Sequence, residues 1–158
     1  MNKRLIKESA ITWLKAAMAG ADEFSTINIV GTYAKGISLP LAICSVGNEK
    51  IVTNKENGLL SWNFVNDTMT YLYKSWYSLK INVYDIIDDE ADRIAEIIVD
   101  RIREYEYPII VADITVEKIS DTISTGDAGP YDLSGTKSFT VPIVVQILCY
   151  EIKTIRSE

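Results

Sequence analysis

The side chains most able to do chemistry lie in one acidic run, Asp85, Asp88, Asp89, Glu90 and Asp92. Carboxylates at this density can offer hard oxygen ligands to a divalent cation. Their spacing does not make a calcium loop, because the mid-loop glycine and the downstream glutamate are missing. The simpler account is a helix start: Asp88 or Asp89 caps exposed backbone amides, and the acids face the positive end of the helix dipole. The run is therefore read as a cap. The sequence contains no histidine, so acid–base and triad chemistry lack their commonest participant. Two cysteines without histidine cannot complete an ordinary zinc site. Cys44 and Cys149 lie in apolar runs and read as buried free thiols, with a single disulfide left open.

Two further constellations invite a functional reading. Gly126-Asp127-Ala128-Gly129 is neither a dinucleotide fingerprint nor a phosphate loop, since it lacks the lysine and does not join a strand to a helix start. The aromatic group Trp62, Phe64, Tyr71, Tyr73, Trp76 and Tyr77 could stack on single-stranded nucleic acid if basic residues accompanied it. Lys74 and Lys80 alone are near. Sheet core plus a protein interface explains the group better, because Trp and Tyr concentrate in interface hot spots. No residue is assigned a catalytic, cofactor-binding or metal-ligating role.

The whole chain sets the bounds. At 158 residues it reads as a single domain, long enough to bury a real core. A hydrophobic fraction of 47% with 24% charged residues is ordinary for a globular protein and argues against disorder. The net charge of −6 argues against non-specific binding of nucleic acid, though it suits a surface past which DNA slides. Lys3, Arg4 and Lys7 resemble the start of a signal peptide, but Glu8, Ser9, Thr12 and Lys15 interrupt the apolar stretch such a peptide needs. No run approaches the roughly 20 apolar residues of a membrane span. The expectation is a soluble intracellular protein with no membrane contact.

Periodicity assigns the elements. Ile6, Ala10, Trp13, Leu14, Ala17 and Met18 form the buried stripe of a helix over about residues 3–19, with Trp13 docking it on a sheet. Residues 27–33 suggest a short strand, 39–46 a strand, Gly47-Asn48 a turn, 51–52 a short strand and 54–58 a polar loop. Residues 59–65 alternate and lead through Asn66-Asp67 into a long strand over 68–84, giving a hairpin whose part at 59–75 projects from the body. In that strand Met69, Tyr71, Tyr73, Tyr77, Leu79, Ile81 and Val83 share one face. About 16 residues exceed the usual strand length of about 10, so either a bulge or bend near Lys74-Ser75-Trp76 or an arm that leaves the domain body is expected. Ala91, Ile94, Ala95, Ile98, Val99, Ile102 and Tyr105 then mark a helix over about 89–105. Residues 109–119 read as one strand with Ile110, Ala112, Ile114 and Val116 on one face. Residues 139–155 read as a central strand in which Pro142 hints at an edge or bulge. Residues 120–138, rich in Gly, Ser, Thr and Asp, read as a long flexible loop or arm. The fold class is α+β: a mixed, mainly antiparallel sheet with two amphipathic helices packed on it, plus an extended hairpin and a long loop.

This order of elements carries a resemblance. A strand through Trp76-Tyr77-Ser78-Leu79-Lys80-Ile81-Asn82-Val83-Tyr84 runs into Asp88-Asp89-Glu90-Ala91-Asp92-Arg93-Ile94-Ala95-Glu96-Ile97-Ile98, with a helix before and two strands around a polar loop after. It resembles the tail terminator and tail-completion proteins of long-tailed phages and of phage-tail-like contractile particles. The resemblance covers most of the chain as a pattern and is specific only around residues 76–102. It implies a structural virion protein, not an enzyme, with no cofactor. Six copies would form a ring at the end of the tail tube, stop its polymerisation, and join the tail to the head or cap it. Its partners would be further copies of itself, the tail tube protein, and sheath or neck proteins, with DNA only as passing cargo. The interface would fall on the hairpin, at Trp62, Phe64, Asn66 and Asp67, and on the long loop, at Asp127, Tyr131 and Asp132. The alternatives are a head–tail connector or neck protein and, in a different class, a small ligand-binding or enzymatic α/β domain with its site near Asp85.

Overall fold

The computed structural model describes residues 3–19, 27–51, 58–63, 67–111, 114–133 and 135–156. In chain order these form α1 (Lys3–Met18), β1 (Asn28–Val30), β2 (Leu41–Ile51), β3 (Gly58–Asn63) and β4 (Thr68–Asp85). There follow α2 (Asp88–Glu104), β5 (Ile109–Val111), β6 (Ile114–Thr125), β7 (Gly129–Leu133) and β8 (Thr136–Arg156). The architecture is α+β: two helices packed on a mixed, mainly antiparallel sheet that curls into a half-barrel. Among the described residues no helix is long and apolar enough to cross a membrane.

The spine of the sheet is the antiparallel pair β4–β8. It runs without a register shift from Thr68 opposite Arg156 to Asp85 opposite Phe139. At roughly 3.3 Å per residue, the 18 residues of β4 span about 60 Å. No single neighbour matches that length, so the outer strands share each edge. Along β4, β2 covers the half from Ser75 to Tyr84 and β3 the half from Thr68 to Leu72. Along β8, β6 covers Ile143 to Tyr150 and β7 covers Thr136 to Thr140. β1 and β5 close the two sides, β1 by a parallel pairing with β2.

The bulge expected near Lys74-Ser75-Trp76 is therefore not in β4. The irregularities fall on its neighbours: in β2 between Gly47 and Lys50, in β3 between Leu59 and Ser61, and twice in β6. Extra residues in flanking strands bend them locally while the β4–β8 register stays unbroken. The β2 bulge lies in the segment expected to be a turn at Gly47-Asn48, and β2 continues through it to Ile51. It opposes Asn48 and Glu49 to Tyr77 alone and so re-aims Glu49. The buried Tyr77 hydroxyl donates to Glu49 Oε1 at 2.9 Å, and Ser75 Oγ donates to the same oxygen at 3.2 Å.

The core lies between the helices and one face of the sheet. Tyr77, Leu79, Ile81 and Val83 of β4 and Val141, Ile143, Val145, Ile147 and Cys149 of β8 are all buried there, at alternate positions as a strand requires. Ile6, Ala10, Trp13 and Leu14 of α1 and Ala91, Ile94, Ala95, Ile98 and Ile102 of α2 cover them. Trp13 docks α1 as anticipated, its ring edge-on to Tyr105 at 6.2 Å and to Tyr107 at 5.9 Å. Cys44 and Cys149 are free and buried, and desolvation pushes both thiols up to about 12. A second, smaller cluster of Leu41, Tyr84 and Leu133 sits apart from the main core.

Three expectations change. Residues 109–119 do not form one strand: β5 and β6 pair antiparallel with Val111 opposite Ile114, so the chain reverses between them. Ile110 is consequently exposed while Ile114 and Val116 are buried. Ala112 lies outside the described residues. Residues 120–138 are mostly strand: β6 continues to Thr125 and β7 forms a hairpin with β8, leaving residues 126–128 as the connection. Their polar composition reflects exposed strands, not a loop. Finally, α2 has no side-chain cap. Ile87 is its N-cap residue in an extended conformation, and Asp88 Oδ1 instead accepts the amide of its neighbour Asp89 at 2.8 Å.

Pro142 marks the handover from β6 to β7. Its carbonyl accepts the Gly126 amide at 3.0 Å, so this side of the residue faces the gap between the two strands. The nitrogen of a strand residue points the same way as its carbonyl, so the donor that proline lacks is lost where no ladder partner stands. Gly126 crosses so close that a Cβ there would lie 2.6 Å from Pro142 Cγ.

Candidate interface at the strand–helix corner

The spine ends where β4 turns into α2. The turn is built locally: Asp85 Oδ1 accepts the Ile86 amide at 2.7 Å, and the Ile87 carbonyl accepts the Ala91 amide at 3.0 Å to start the helix. Two consecutive isoleucines fill this corner and neither finds the core. Ile86 is 63% exposed and Ile87 is 56% exposed. A pair of large β-branched side chains in water, next to Asp85, Asp88 and Asp89, is costly unless something covers it.

The β7–β8 hairpin stands beside the corner. Its turn is fixed by Asp132, whose Oδ1 accepts the Gly135 amide at 2.7 Å, and by Gly135 at φ 90°, a conformation that favours glycine. Ser138 Oγ donates to the Tyr131 carbonyl at 3.0 Å. Tyr131 lays its ring against Tyr84 at 5.3 Å yet stays 46% exposed. Burial, then the nearby Tyr131, raises the Tyr84 phenol above its ordinary value. Corner and hairpin enclose an open groove of about 510 Å³, lined by Ile86, Pro130, Tyr131, Asp132, Lys137 and Phe139. Its chemistry is an apolar floor with one acid and one base at the rim.

The residues expected at an interface divide between the two ends of the spine. Tyr131 and Asp132 line the groove, and Asp127 is exposed on the β6–β7 connection without lining it. Asp67 sits at the far end of β4, in the turn from β3, with φ 50°. Trp62 pairs through its backbone with Met69 there, its side chain lying outside the described residues, as do Phe64 and Asn66 entirely. The far end and the groove are thus about 60 Å apart along the strand and form two surfaces, not one. Ile86 and Ile87 were not anticipated. The available signal was their position: the strand alternation ends at Val83 and the helix stripe begins at Ala91, so neither pattern buries them.

Among the described residues, no group of three His, Cys, Asp or Glu side chains is arranged to hold a metal ion. Neither protein-family models nor curated protein sequences match the chain.

Proposed function

We propose that this protein is a structural subunit of a phage tail or tail-like particle, assembling into a ring at the end of the tail tube. The ring stops tube growth and offers the surface that meets the head or caps the particle. The observation that carries this reading is the two-ended placement of contact surface on one rigid strand pair. An exposed apolar corner with its groove lies at one end of β4–β8, and the three-stranded β3–β4–β8 extension lies at the other. A subunit that touches ring neighbours with one end and a tube with the other needs such a layout. The order of elements around residues 76–102, similar to tail terminator proteins, supports the same role.

The test is mass and shape. Light scattering on the purified chain, alone and mixed with tube protein, with electron micrographs of both samples, should show rings, six subunits being the expected number. Ile86→Asp with Ile87→Asp should abolish them while the circular dichroism spectrum stays unchanged. A wild-type chain that remains monomeric at high concentration and leaves tube ends bare overturns the proposal.

A further inference from the structure

The sheet has two faces and the helices cover one. On the other, the described side chains include Lys50, Lys74, Trp76, Lys80 and Lys118, brought to one side by the pairings of Lys50 with Trp76, Lys74 with Tyr150, and Lys118 with Leu148. Lys118 Nζ lies 5.8 Å from the centre of the Trp76 ring. Glu117 lies on this face too, and Lys74 holds it at 2.9 Å. Lys50, Lys80 and Lys118 are exposed. In a chain of net charge −6 this is a local reversal of sign.

A shallow depression of about 400 Å³ lies in the same face, lined by Lys50, Trp76, Ser120 and Gln146. Its polar groups are already paired. Ser78 and Gln146 hydrogen-bond to each other at 2.8–3.0 Å, and Ser120 Oγ donates to the Thr122 carbonyl at 2.7 Å. What it offers a visitor is an aromatic ring with lysines around it, which fits an acidic protein surface with an apolar anchor.

The molecule carries such a surface on its opposite side. α2 buries Ala91, Ile94, Ala95, Ile98 and Ile102 against the sheet, so its charges point away from it. They are seven acids against three arginines, a net of −4. The exposed Ile86 and Ile87 stand at its start. We propose that copies of this chain associate head to tail, the acidic outer face of α2 and the Ile86–Ile87 corner of one copy seating on the lysine-bearing sheet face of the next. The occupant of this lysine-bearing part of the face is thus a second copy, chosen by charge complementarity between the two sides of one molecule. Because the two patches differ, the contact is heterologous, and a rotation between successive copies that completes a full turn closes it into the ring proposed above. This inference rests on the ring reading above and names the surfaces that make the ring.

Charge exchange tests it on the full chain. Lys50→Glu, Lys80→Glu and Lys118→Glu together form one variant; Asp89→Lys, Glu96→Lys and Asp100→Lys together form another, all six positions being exposed. Each variant alone should raise the concentration needed for assembly by about tenfold or more, through like-charge contact. Each should keep the wild-type circular dichroism spectrum. A chain carrying all six changes restores complementarity and should assemble again, and the wild-type ring should loosen with added salt. Rings indifferent to either reversal, or a six-fold variant that stays monomeric while folded, overturn the inference and leave the ring itself standing. So does a lysine variant that assembles normally but no longer retains a 30-base-pair DNA duplex that the wild type retains, since the face would then serve a polyanion. A wild-type chain that never associates overturns the ring, and this inference with it.

Discussion

Gly126→Ala isolates the contact that lets one edge of the spine serve two strands. Gly126 has no left-handed φ, so alanine meets no backbone penalty there. Freed of strain, such a change would stabilise by about 0.4–1 kcal/mol through the unfolded chain. Against this, the new methyl would stand 2.6 Å from Pro142 Cγ and 3.0 Å from Cδ. A proline ring is tied to its backbone at both ends and cannot swing aside, so the strands must part. Overpacking of this kind costs about 1–3 kcal/mol, and stretching the 3.0 Å bond from the Gly126 amide to the Pro142 carbonyl adds up to about 1 kcal/mol. The steric effect wins, for a net loss of about 1–2 kcal/mol. Urea unfolding followed by circular dichroism reads this as a midpoint lowered by roughly 1 M, with a slope of about 1–3 kcal/mol per molar. The decisive arm is the same substitution in a Pro142→Ala background. There the ring is gone, and Gly126→Ala should become neutral or slightly stabilising, a coupling of at least about 1 kcal/mol. An equal loss in both backgrounds would refute the steric account, and no loss in either would refute the close approach itself.

Two further outcomes follow from the buried polar and titratable groups. Tyr77→Phe removes a hydroxyl that donates to Glu49 at 2.9 Å and should cost about 1.5–3 kcal/mol in urea unfolding, more than Ser75→Ala, whose longer bond goes to the same oxygen. A cost within error of zero would mean that water replaces the contact and that the β2 bulge is not pinned by it. The thiols of Cys44 and Cys149 are raised by burial from 9.0 to about 12, so their contribution to stability is complete below pH 9 and lost as pH climbs toward 12. Between those limits each should give a slope of about 1.4 kcal/mol per pH unit. Burial raises the phenols of Tyr77 and Tyr107 as well, so they act in the same direction at still higher pH. Replacing both cysteines by alanine should flatten the profile between pH 9 and 10, and an unchanged slope would show that the thiols ionise in the folded state.

Sequence periodicity found the elements that bury one clean face and missed those that do not. Tyr77, Leu79, Ile81 and Val83 alternate because helices cover one side of β4, and Ala91 to Ile102 repeat because α2 lies along the sheet. The tail of β6 and all of β7 have almost no buried positions beyond Leu133, so their pairing rests on backbone hydrogen bonds, which leave no apolar pattern to read. The reversal between Val111 and Ile114 was hidden for the opposite reason: Ile109, Ile110, Val111 and Ile114 form a run apolar enough to pass for one strand. The length of β4 alone suggests a bulge or bend, yet its register is unbroken. A strand of 18 residues is stable when a partner of equal length runs beside it, and residues 139–156 of β8 are that partner, nearly the stretch that the sequence marks as strand over 139–155.

The candidate surface was half legible for a related reason. Tyr131 and Asp132 stand in the stretch to which the resemblance assigns contacts, and they line the groove. Ile86 and Ile87 drew none, because an isoleucine is assumed to be core until the structure shows what it touches. Their meaning depends on geometry that no spacing encodes. α2 starts at once after Ile87, with no capping side chain and no intervening loop, so the corner is too tight to fold either residue inward. The same holds for the lysine-bearing face. Lys50, Lys80 and Lys118 come from three strands and lie 30 to 68 residues apart in sequence, so only the pairing of β2, β4, β8 and β6 gathers them. Assembly surfaces of this kind are set by which side of a sheet remains uncovered. That depends on where the helices pack, and it is therefore the last property to emerge from a sequence, although the one on which the proposed role depends.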